Sequence, residues 1–76
     1  FVGSGRHVLT KMPEMTYLAF ASLMPVSGFS IKEAKYELAK TDYPTNFSLS
    51  SNEFVGDKSV TIELESGIVA VIQARD

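Results

Sequence analysis

The sequence has no cysteine and a single histidine among its 76 residues. Without cysteine there is no disulfide framework and no thiolate metal site. A secreted domain of this size is commonly cross-linked, so the absence favours a reducing, cytoplasmic location. Basic residues are scarce as well. There are seven, Arg6, Lys11, Lys32, Lys35, Lys40, Lys58 and Arg75, scattered along the chain. Against nine acidic residues they leave a net charge of -2. Such a balance gives no pull towards polyanions, so no nucleic-acid partner is expected. No apolar run approaches the roughly 18 residues needed to cross a bilayer, so no membrane partner is expected either. No charged segment followed by an apolar stretch opens the chain, so a signal peptide is not visible. The chain starts at Phe1 without a methionine, which fits an upstream segment removed or left out.

What is present is ordinary globular material: 45% hydrophobic and 21% charged residues, with five Phe and three Tyr as bulky core formers. The length suits one domain, and one that hides only about 60% of its unfolded surface. Residues 1–13 read as a flexible or edge-strand N-terminal segment, and residues 14–76 as a single α+β domain. Gly3-Ser4-Gly5 is permissive, Val8, Thr10 and Met12 alternate weakly, and Pro13 ends any strand there.

Met15 to Met24 reads as a strand with two apolar faces. Met15, Tyr17, Ala19, Ala21 and Leu23 point one way, and Leu18, Phe20 and Met24 the other, the pattern of a strand buried on both sides. Pro25 and Gly28 then break the chain. From Ser30 to Lys40 the spacing predicts a helix. Ser30 and Glu33 make an S-x-x-E capping box, Ile31, Ala34, Lys35 and Leu38 share a stripe, and Asp42-Tyr43-Pro44 stops it. After Pro44 the period becomes two. Phe47 and Leu49 share one face, Asn52 and Gly56-Asp57 mark turns, and Val60, Ile62 and Leu64 alternate with Thr61, Glu63 and Glu65. Ser66-Gly67 signals a turn, and Ile68 to Gln73 is apolar on both faces. The expected fold is therefore α+β: a small, mostly antiparallel sheet of three to five strands with one helix packed on one face. The order is strand, helix, strand, strand, strand.

A search for chemistry finds little. His7 lacks a visible nucleophile and orienting partner, and is better read as solvated. The hydroxyls between Thr41 and Ser51 form no G-x-S-x-G elbow. Glu63 and Glu65 alternate along one strand, with Glu53 and Asp57 in the preceding loop. That spacing suits a solvated face and matches no calcium loop. Gly3-Ser4-Gly5-Arg6 lacks the lysine of a phosphate loop. No catalytic residue, metal site or cofactor is assigned, and an enzyme is the less favoured reading. Tyr36 lies roughly opposite Ala34 on the expected helix, where it either packs under a loop or anchors a partner.

The functional expectation comes from counting faces. Two strands are apolar on both sides, yet one helix covers one face only. The other face carries Leu18, Phe20 and Met24, and a protein partner or a second copy of the chain is expected to cover it. The chain also ends at Arg75-Asp76 straight after a strand, as a piece of something longer would. The favoured reading is thus a non-enzymatic interaction, assembly or regulatory module. It acts through an apolar sheet face, with Leu18, Phe20, Met24 and Tyr36 as contact residues. The alternative is a small subdomain of a larger enzyme or ligand-binding protein whose active residues lie mostly outside this chain.

Overall fold

Buried and more exposed side chains alternate along residues 17–22 and 60–64, and the backbone there is extended. The computed structural model describes residues 1–75. Asp76, the last residue of the expected 14–76 domain, lies outside them. Seven strands are present: β1 (Gly5–Leu9), β2 (Tyr17–Ser22), β3 (Val26–Lys32), β4 (Leu38–Tyr43), β5 (Phe47–Glu53), β6 (Val60–Leu64) and β7 (Ala70–Ala74). They form two antiparallel sheets, one ordered β1-β6-β3-β4 and the other β5-β2-β7. Along the chain only β3 and β4 are consecutive neighbours in a sheet; every other link crosses between sheets. The two inner faces close on each other as a sandwich. No helix among the described residues is long and apolar enough to cross a membrane.

The α+β expectation is corrected: the fold is all-β, and among the described residues no helix packs on either sheet. The segment from Ser30 to Lys40 ends one strand, turns, and starts the next. Phe29 and Ile31 are buried to 1% exposure or less, while Ser30 between them faces outward opposite Glu63. Ser30 therefore caps nothing. Glu33 takes φ 67°, a left-handed conformation that breaks helical continuation, and its N–H donates to Glu37 Oε2 at 2.7 Å. Ala34 then bridges to Phe54. Energetics explain the outcome. A capping box is worth about 1 kcal/mol. Burying Phe29 and Ile31 is worth roughly 1.5–3 kcal/mol each. Of the residues assigned to one helical stripe, Ile31 and Ala34 are core residues of a hairpin instead, Leu38 packs half-buried against the core, and Lys35 is exposed.

The core lies between the sheets. Phe20 of β2 meets Phe29 of β3 edge to face at 5.7 Å, and Phe29 meets Phe47 of β5 at 5.7 Å. Tyr43 of β4 stacks on Phe47 at 4.2 Å. This aromatic series joins the two sheets with the ring geometries that aromatic pairs prefer. Leu18, Val26, Val60, Ile62 and Val69 fill the space around it. The face that seemed to need a partner is thus covered by the chain's own four-stranded sheet. β1 forms the edge of that sheet, and Val2 bridges Val69. At the β6–β7 turn, Gly67 sits at φ 104°, and a Cβ there would lie 2.7 Å from the Pro25 carbonyl oxygen. No side chain fits that approach.

Candidate functional site

The β3–β4 turn does not hang free; β5 ties it down. Asn52 is buried on β5 and holds the Tyr36 backbone at two points. The Tyr36 N–H donates to Asn52 Oδ1 at 3.0 Å, and Asn52 Nδ2 donates to the Tyr36 carbonyl at 2.8 Å. The same Oδ1 accepts the Glu53 N–H at 2.9 Å, and the Lys35 N–H donates to the Glu53 carbonyl at 2.9 Å. Lys35 Nζ pairs with Glu53 Oε2 at 3.1 Å and lies 5.5 Å from the Tyr36 ring centroid. The hydrogen bond and charge of Glu53 raise the Lys35 pKa above its ordinary 10.5.

Between this anchored turn and β5 lies an open groove with a volume near 420 Å³. Ile31, Leu38 and Leu49 supply its apolar part, and Ser48, Ser50 and Ser51 line one side with hydroxyls. Tyr36 and Glu37 stand on the other side, and Asn52 closes one end. An apolar floor with a few convergent polar groups is the usual make-up of a small-molecule site. The combination of an aromatic ring, a carboxylate and hydroxyls suits a ligand that is itself aromatic and carries amino or hydroxyl groups. No lysine or arginine lines the groove.

A second hollow, of about 500 Å³, is almost wholly apolar and is lined by Phe1, Ala21, Ser22, Leu23, Met24, Ile68 and Ala70. Ser22 turns its hydroxyl to the Ile68 carbonyl at 2.6 Å, leaving the surface greasy. A third cleft is framed by Glu14, Thr16, Tyr17 and Arg75, and Arg75 pairs there with Glu14 at 2.6 Å. Among the described residues no group of three or more His, Asp or Glu side chains is placed to hold a metal ion.

The four residues expected to make contacts are not brought together. Leu18 and Phe20 are 1% and 0% exposed in the core and have no surface to offer a partner. That correction follows from the second sheet, which the sequence reading replaced with a helix. Met24 is exposed at the apolar hollow, and Tyr36 is exposed at the groove. His7 Nε2 lies 2.8 Å from the Gly3 carbonyl oxygen, a backbone partner and not a catalytic one. Sequence reasoning passed over Glu37, Ser51 and Asn52 as site residues. The signal available was the run of hydroxyls from Thr45 to Ser51 ending in an amide, next to the one tyrosine that fell off the core stripe.

A family model described as thiamin pyrophosphokinase, vitamin B1 binding domain, matches residues 6–69. Among solved structures, a thiamin pyrophosphokinase family protein from Enterococcus faecalis has a TM-score of 0.91 and 33% identity, over 99% of this chain and 35% of that one. A protein from Lactobacillus plantarum has a TM-score of 0.88 and 35% identity, over 99% of this chain and 34% of its own. A thiamine pyrophosphokinase from Bacillus subtilis shares the fold at TM-score 0.86 and 21% identity, over 99% and 36%. The chain therefore spans about a third of the length of the solved structures it matches. No curated protein matches it at the same stringency.

Proposed function

The chain belongs to the family of thiamin pyrophosphokinase vitamin B1-binding domains, and on that premise we propose that it binds thiamin, as the vitamin-binding part of a larger pyrophosphokinase. Of the two readings of the sequence, the family match supports the subdomain of a larger enzyme over the self-sufficient contact module. The description as an α+β domain of unknown function is corrected with it.

The observation that carries the proposal is the groove lying inside the matched residues. Thiamin joins an aminopyrimidine ring to a thiazolium cation that bears a hydroxyethyl arm. Tyr36 offers a ring face to the cation or the pyrimidine. Ile31, Leu38 and Leu49 offer apolar contact, and Ser48, Ser50 and Ser51 offer partners for the amino group and the hydroxyl. Pyrophosphoryl transfer is assigned to residues outside this chain, because the groove carries no cationic side chain to meet developing phosphate charge. Calorimetric titration of the full-length protein with thiamin is the test. Tyr36→Ala is expected to weaken binding by about five- to tenfold, the worth of one aromatic or cation–π contact. Unchanged affinity, with the fold preserved by circular dichroism, would remove Tyr36 from the site.

A second role is favoured by the apolar hollow. Phe1 and Leu23 are 97% and 95% exposed there, beside the half-exposed Met24 and Ile68. A cluster of this kind commonly marks a protein contact. We place the expected protein contact at this hollow, away from Leu18 and Phe20. Leu23→Asp is expected to reduce association of the isolated chain in sedimentation without unfolding it.

A further inference from the structure

We propose that Glu37 makes the groove selective for a positively charged ligand. The inference rests on the reading of the groove as the thiamin site and assigns one residue to discrimination within it. Among the described residues Glu37 is the only acidic side chain lining the groove, and it follows Tyr36 in the chain. Its position is fixed from below, because Oε2 accepts the Glu33 N–H at 2.7 Å across the β3–β4 turn. That bond occupies one carboxylate oxygen and leaves the other for a ligand.

The charge is also uncompensated. The ion pairs among the described residues are Lys35–Glu53, Lys40–Glu65 and Arg75–Glu14. None involves Glu37, and the nearby Lys35 is already committed to Glu53. A carboxylate lining an apolar groove, without a cation of its own, favours a cationic ring over a neutral one of the same shape. The thiazolium is such a cation. Serine hydroxyls would take a charged and a neutral ring of equal size with little distinction.

The test uses the full-length protein and two ligands: thiamin, and an isosteric analogue whose thiazolium is replaced by a neutral thiophene. Glu37→Gln keeps an oxygen to accept the Glu33 N–H and removes only the charge. It is expected to weaken thiamin binding about fivefold, the size of a partly exposed ion pair, and to leave the neutral analogue unchanged. Glu37→Asp, which retains the charge, is expected to retain the preference for thiamin. If Glu37→Gln weakens both ligands equally, or neither, while Tyr36→Ala still weakens thiamin, the selectivity role is wrong and the groove stands. If neither Glu37→Gln nor Tyr36→Ala affects thiamin, the groove is not the thiamin site and both proposals fall.

Discussion

Asn52 connects packing to function. Its side chain is buried, and every polar atom it carries is used to hold the Tyr36 and Glu53 backbone. Asn52→Ala strands those groups at the end of the groove. A cost of about 1–3 kcal/mol is expected, the penalty for a buried polar group left unpaired. Chemical denaturation of the variant beside the parent measures it, and an unchanged midpoint would show that solvent satisfies the turn instead. At this scale the sequence was partly legible. Tyr36 stood out because it fell off the apolar stripe, but Asn52 read only as a turn marker. Nothing local distinguishes an asparagine that ends a strand from one that grips a turn sixteen residues away. Phe20 was misassigned for a related reason: its apolarity was plain, but the surface that buries it comes from β3, β5 and their neighbours.

At the scale of elements, the clearest test concerns Ser30. As a helix cap its removal would cost about 1 kcal/mol. In mid-strand on the outward face, Ser30→Ala is expected to change stability by less than about 0.5 kcal/mol. Thermal unfolding separates the two, and the far-ultraviolet circular dichroism of the parent should lack the helical double minimum. The alternation in β6 was readable because one face is core and the other solvent, which is the simple period-two case. The β3–β4 hairpin was not. A turn supported by a left-handed Glu33 and a buried Ala34 places apolar residues at Ile31, Ala34 and Leu38, which happens to copy helical spacing. The turn also carries a pH dependence. Glu53 raises the Lys35 pKa, so the pair's contribution is complete below the ordinary 10.5 and is lost as pH rises through the raised value. The stability difference between the parent and Lys35→Met is expected to be flat from about pH 6 to about pH 9, and to vanish only in stronger alkali. A difference that changes near neutrality would mean another group governs the turn.

At the scale of the whole molecule, the sandwich explains why most links cross between sheets: apart from the β3–β4 hairpin, strands find their partners far along the chain. That topology hides itself from a local reading, which naturally pairs consecutive strands into one sheet and then looks for something to cover it. The face count rested on a doubly apolar β2 and on one helix as the only cover. The chain supplies one cover itself. The outer side of β2, with Ala19 and Ala21, stays only half-buried and runs into the apolar hollow at Leu23 and Ile68. With the chain spanning about a third of the structures it resembles, an outer contact surface and a polar groove are compatible features of one domain. The central claim is that thiamin occupies the groove between the anchored turn and β5. Amide chemical-shift mapping of the full-length protein during a thiamin titration tests it most directly. The account expects the shifts within this domain to centre on residues 36–38 and 48–52; shifts centred on Phe1, Leu23, Met24 and Ile68, with the groove silent, would contradict it.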